Sequence, residues 1–159
     1  MTRKTIWLSL ALLVLLSVSS LWAQDTKLIR ELVDKPVATV EDGLRMALLL
    51  TQGVGATEPF EEVAAKLRGS GLIRDKWLEK PEQPLRKGQL AYIIVKACGI
   101  KGGLTMRLTG VSERYALREC IFLNLLVRGS TGNYVSGLEL LGSIGRAEKY
   151  LEEHPRKSR

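Results

Sequence analysis

The sequence predicts an all-α fold, a compact bundle of helix-loop-helix repeat units that follows an N-terminal signal peptide. Three observations predict it. Apolar residues recur at helical spacing through most of the chain after residue 39. Glycine and proline break these stretches where a helix would have to stop. One plan, a helix, an apolar triplet, a polar loop and a second helix, occurs twice.

The chain opens with a short basic head, Arg3 and Lys4. Ile6 to Leu16 is apolar apart from Ser9, and Ser17, Ser19 and Ser20 follow. The run closes on Leu21-Trp22-Ala23-Gln24-Asp25. This is the three-part layout of a secretory signal peptide over residues 1–23, cut after Ala23. Leu21 at position −3 departs from the usual small residue. The alternative is an uncleaved anchor, because Ile6 to Ala23 approaches the roughly 20 residues that span a bilayer. No cysteine stands near the cut, so a lipid anchor is not expected. The reading places the mature protein outside the cytoplasm, in the periplasm or at the cell surface, with no transmembrane segment of its own.

What remains is the size of one ordinary domain. The formal net charge is +7, and the signal carries few of the 24 Lys and Arg, so the mature chain stays basic. A basic exported protein meets anionic wall polymers, lipid head groups or acidic partners. Nucleic acid is not an expected partner, and the oligomeric state is left open.

A lead segment, residues 24–38, comes first. Leu28, Ile29, Leu32 and Val33 form one stripe, ended by Pro36. The helical domain spans residues 39–154. Thr39 starts its first helix, with Glu41 and Asp42 in the first turn and Leu44, Ala47, Leu48 and Leu50 turned inward. Gly53 and Gly55 stop it. Thr57-Glu58-Pro59 opens the next helix, which buries Val63, Ala64 and Leu67 and ends at Gly69-Ser70-Gly71. Asp75 to Pro84 is a polar loop whose large apolar residues are Trp77 and Leu78.

From Arg86 a further helix carries Leu90, Ile93, Ile94 and Ala97, although Leu90 to Val95 also has strand character. Thr105 to Gly110 reads as an extended linker. Ser112 starts another helix with the stripe Leu117, Ile121 and Leu125. Ser136-Gly137-Leu138-Glu139 matches a capping box, followed by the stripe Leu138, Leu141, Ile144 and Leu151. Pro155 ends that helix, and residues 155–159 form a basic tail.

The two cysteines, Cys98 and Cys120, fall at apolar positions of neighbouring helices. An exported compartment permits a disulfide between them, worth about 3 kcal/mol on chain entropy. Two small buried thiols are the equal alternative.

The internal repeat gives the reading its direction. Gly71-Leu72-Ile73, a loop and Arg86 to Ala97 align with Asn124-Leu125-Leu126, a loop and Ser136 to Ala147. The helix after Thr39 matches the second half of such a unit. Pro84-Leu85-Arg86-Lys87-Gly88-Gln89-Leu90-Ala91 and the Gly71 triplet together resemble the S-layer homology domain, a helical cell-surface module. Its unit has a Gly-Ile-Ile-like triplet and a Thr-Arg-Ala-Glu-like start to the second helix. The likeness is clearest over Phe60 to Gly99 and weaker over Tyr115 to Tyr150. It implies a compact helical domain that holds cell-wall polysaccharide, with Arg86 at the position of the groove arginine. The chain departs from the pattern in lacking a first-helix tryptophan, in carrying no arginine at Ser136-Gly137, and in offering two units and a fragment where three share a groove.

Arg86 has a case of its own. It stands where a loop meets a helix N-terminus, so outward N–H groups and a planar guanidinium would both favour an anion. Trp77 is the candidate for stacking on a sugar, with core packing as its other role. Asp75, Glu79 and Glu82 lie in one loop without a companion catalytic pattern, and read as solvated acids. His154 reads as a surface residue. The glycines at 53, 55, 102 and 103 follow no strand and read as helix stops. No catalytic residue, metal site or cofactor is expected. The expected function is non-catalytic attachment to the cell envelope, by polysaccharide or by another envelope protein, with a helical adaptor or scaffold as the alternative.

Overall fold

The structure, a computed structural model, describes residues 29–53 and 58–155. The signal peptide, its cut after Ala23, Leu28, Gly55, Thr57 and the basic residues from Arg156 onward lie outside that set. The fold is all-α and strands are absent among the described residues. A helical turn at residues 29–33 precedes α1 (Val40–Gln52), α2 (Phe60–Leu67), α3 (Lys87–Cys98), α4 (Leu104–Thr109), α5 (Glu113–Phe122) and α6 (Gly137–Glu153). A 3-10 turn, Asp75–Trp77, lies between α2 and α3.

Local chemistry sets the helix ends. Thr39 caps α1 with a full box: its side chain accepts from the Asp42 amide, and the Asp42 carboxylate accepts from the Thr39 amide. Lys35 Nζ reaches the same carboxylate at 2.6 Å. Ser112 and Ser136 cap α5 and α6 by accepting from Tyr115 N and Glu139 N. Gly53 and Gly99 close α1 and α3 in the left-handed conformation.

α3 is the central element. Leu90, Ala91, Ile93, Ile94, Val95 and Ala97 are all buried, so the run is apolar around most of the helix rather than along one stripe. That is the source of its strand-like reading, and the structure resolves it as helix. α1, α5 and α6 pack around it, through Leu44 and Leu48, Ala116 and Leu117, and Leu140 and Ile144. Each fully buried leucine contributes on the order of 2 kcal/mol of transfer free energy.

The starts of α1, α3 and α6 meet in a ring of backbone hydrogen bonds. Ala38 N donates to Val135 O at 2.8 Å, Val135 N to Leu85 O at 3.0 Å, and Leu85 N to Ala38 O at 2.8 Å. Ala38, Leu85 and Val135 are fully buried, and each lies just before a helix start. The next amides dock outward in the same sense. Val40 N and Glu41 N donate to Gln83 O and Pro81 O, Lys87 N and Gly88 N to Asn133 O and Thr131 O, and Gly137 N to Lys35 O. Amides that a helix N-terminus ordinarily leaves unpaired are thereby satisfied by neighbouring loops.

Several expectations are corrected. Residues 104–109 are helix rather than an extended linker, pinned by buried Met106. α2 begins at Phe60, with Pro59 at the cap instead of inside the first turn. Among the described residues of the lead-segment stripe Leu32 is buried, while Ile29 and Val33 face solvent. In α6 the buried face runs through Leu140, Ile144 and Ala147, and Leu138 is 63 % exposed. Three leucines stand at 138, 140 and 141, and the core takes the one in register with Ile144 and Ala147.

The cysteines are two buried thiols, not a disulfide. Cys120 Sγ lies 3.6 Å from Ala91 O, and Cys98 Sγ lies 3.9 Å from Ala147 O. Cys120 thus faces the Ala91 turn of α3, while Cys98, two turns further along that helix, faces α6.

Candidate functional site

The ring of helix starts also shapes a groove. Arg86 caps α3 with extended backbone, and an isolated antiparallel bridge pairs it with Tyr134, just ahead of α6. Gln89 Oε1 accepts from the Arg86 amide at 2.9 Å, which fixes the turn. Arg86 and Tyr134 both point their side chains to solvent, Tyr134 at 57 % exposure. Between them and the Asp75–Trp77 turn lies a concavity of about 430 Å³, lined by Lys76, Trp77, Gln83, Pro84, Arg86, Gln89, Glu113 and Tyr134. Two helix pairs contribute, since Glu113 opens α5 and Tyr134 precedes α6.

The groove therefore brings the two sequence-predicted residues, Arg86 and Trp77, together. Their states differ. Trp77 is only 5 % exposed, and its ring meets Tyr92 edge-on at 5.4 Å and 85°. It forms the floor of the groove and belongs to the core cluster, so its ring face is not free to stack on a sugar. Arg74 stacks over the same Tyr92 at 5.1 Å and reaches Glu113 at 3.7 Å, which engages the acid that lines the groove.

The charge pattern differs from the expected one in its source. The first two amides of α3 are already donated to Asn133 and Thr131, so they are not turned outward to an anion. Positive potential in the groove comes instead from the Arg86 and Lys76 side chains. The cap also settles a register. In α1 the start Thr39-Val40-Glu41-Asp42 places threonine at the cap and an acid three residues on. Counted the same way, the arginine of a Thr-Arg-Ala-Glu start falls on Lys87, and Arg86 takes the threonine's place.

Lys87 is nearly fully buried. Its ammonium sits 2.7 Å from Glu139 on α6 and donates to the Val127 and Arg128 carbonyls. It holds α3, α6 and the bend after α5 together rather than facing the groove. Tyr134 was not flagged by sequence reasoning. Its one signal is position, directly before the Val135-Ser136 helix start that aligns with Leu85-Arg86.

Asp75, Glu79 and Glu82 are all exposed, as solvated acids should be. His154 is exposed and stacks on Tyr150 at the end of α6. Among the described residues no cluster of His, Cys, Asp or Glu is suited to a metal ion, and no helix is long and apolar enough to cross a membrane. Burial raises the Cys120 thiol well above the ordinary thiol range, with Cys98 and Glu119 adding to the effect.

No family model, curated protein or solved structure matches the chain.

Proposed function

We propose that the protein is an exported, non-catalytic component of the cell envelope, and that its helical domain holds an anionic wall polysaccharide in the Arg86 groove. The observation that carries this reading is the backbone pairing of exposed Arg86 and exposed Tyr134 side by side on the rim of a concavity of about 430 Å³. A guanidinium forks a carboxylate or phosphate group, and an accessible phenol ring covers the apolar face of a sugar. Lys76 adds a second cation, and Gln83 and Gln89 supply neutral hydrogen-bonding groups suited to hydroxyls. The basic balance of the chain supports the same choice of ligand. The S-layer homology resemblance supports envelope attachment in general but not Arg86 itself, because its groove arginine falls on buried Lys87.

The test is co-sedimentation of the protein with purified cell walls, either intact or stripped of their secondary polymers. Retention should require the intact polymers and fall at least about tenfold in Arg86→Ala and in Tyr134→Ala, the scale of one charge-assisted contact. Equal retention on stripped walls, or unchanged binding by both variants, overturns the reading.

A second reading, a helical adaptor for another envelope protein, rests on a different observation. Phe122, Val127, Leu104 and Leu108 are all more than half exposed on the α4–α5 side of the molecule.

A further inference from the structure

A second concavity, of about 690 Å³, shares no lining residue with the Arg86 groove. It lies where α5 ends and the chain bends toward α6. Arg118 and Phe122 come from α5, Val127 and Arg128 from the bend, and Arg146 from α6. Its three cations are all arginines, and neither lysine nor any acid lines it. Arginine with an aromatic and without lysine or carboxylate is the composition of protein-interface centres.

The wall is built before any ligand arrives. Arg146 Nε donates to Leu125 O at 2.9 Å and Nη2 to Ser143 Oγ at 3.1 Å, while Ser143 donates onward to Glu139 O. The guanidinium is thus held in one orientation. The bend is pinned from behind by the Lys87 ammonium on the Val127 and Arg128 carbonyls. Asn124 turns the chain there in the left-handed conformation, at φ 57°. A pre-ordered wall reduces the entropy lost on binding. Arg118 and Arg128 are exposed, and Phe122 and Val127 stand on the rim at 79 % and 59 % exposure.

We propose that this pocket binds an acidic peptide segment of a partner protein, with a carboxylate held by the three arginines and a neighbouring apolar side chain laid on Phe122 and Val127. The planar fork of arginine matches a carboxylate bidentately. A concave site whose charged lining is arginine alone suits such a segment better than a bilayer, which spreads its anions over a plane. The inference gives the adaptor reading a site and a ligand chemistry, and it stands apart from the Arg86 groove.

The test uses the full-length chain and a fluorescein-labelled hexapeptide of alternating Glu and Leu, read by anisotropy at low salt. A matching peptide with Gln for Glu and vesicles of phosphatidylglycerol are the comparison arms. The acidic peptide should bind at least about tenfold more tightly than its Gln counterpart, and the double variant Arg118→Gln/Arg128→Gln should lose about tenfold or more. Arg107→Gln/Arg114→Gln removes the same charge from exposed positions outside this pocket and should bind as wild type, as should Arg86→Ala. Equal binding of the two peptides, an equal loss in the Arg107/Arg114 variant, or binding to vesicles without binding to the peptide overturns the proposal.

Discussion

The starts of α3 and α6 are alike in sequence position, each preceded by a buried residue of the backbone ring, and they use that position differently. At the start of α6, Ser136 accepts from the Glu139 amide, and Gly137 is pressed against the lead segment. A Cβ on Gly137 would lie 1.8 Å from the Leu32 carbonyl oxygen. Glu139 turns away from its cap to meet Lys87. At the start of α3 no side chain caps the helix in that way, and Gln89 accepts from the Arg86 amide instead. Arg86 is left in solvent beside Tyr134. One start is committed to packing, and the other leaves its polar groups to a groove. Two helix starts at similar positions can therefore differ in whether their polar side chains are spent on packing or left in solvent.

Substitutions should sharpen or break that contrast. The largest effect is expected for Gly137→Ala, because the added methyl meets backbone that cannot move aside. A loss of about 3 kcal/mol or more is expected in urea unfolding. Gly88→Ala, whose Cβ would meet the Glu113 and Thr131 side chains at 3.1 Å, should cost clearly less. Equal losses at the two glycines would mean that the two starts are equally constrained.

Next comes Lys87→Met, which leaves Glu139 without its cation. About 2–3 kcal/mol should be lost, and most of it should return in Lys87→Met/Glu139→Gln. A double variant as unstable as the single one would show that the lysine stem, rather than the ion pair, joins the two helix starts.

Ser136→Ala should cost about 1 kcal/mol through the lost cap. The face between α3 and α5 carries a pH signature that is smaller still. Folded Cys120 keeps its proton, whereas in the unfolded chain the thiol ionises near pH 8.5. Its contribution is intact below that pH and declines as pH rises. Between pH 7 and pH 9 the decline should stay under about 1 kcal/mol and should vanish in Cys120→Ala. Smallest of all is Arg86→Ala, with a stability change within about 0.5 kcal/mol, as suits an exposed residue. Thermal unfolding alongside the wall assay separates that binding loss from misfolding.

Much of the fold was legible because its helix ends carry their own chemistry. Thr39, Ser112 and Ser136 are caps that sequence alone identifies, and Gly53 and Gly99 are stops. α4 escaped notice because six residues with one buried side chain make no stripe. The α6 face was misjudged because leucines at 138, 140 and 141 fit more than one register. Arg86 and Trp77 both line one concavity, Trp77 only as its buried floor, and Tyr134 beside them was missed. It comes from a distant part of the chain and reaches Arg86 through backbone pairing that no side-chain pattern announces. The inward turn of Trp77 depends on Tyr92, a partner that local spacing does not identify.

The ring through Ala38, Leu85 and Val135 makes the domain a closed array rather than an open solenoid. An open stack can gain or lose a member at either end and needs end caps to stay soluble. Here the α6 start bonds back to the α1 start, so the ring of these three helix starts is closed. The seam joins segments from opposite ends of the described chain, and its loop-closure entropy must be met before the seam gives anything back. Such a molecule should fold more slowly than its helix content suggests, because its contact order is set by the seam. Cutting the chain between α3 and α5 should leave two pieces that fold only when mixed.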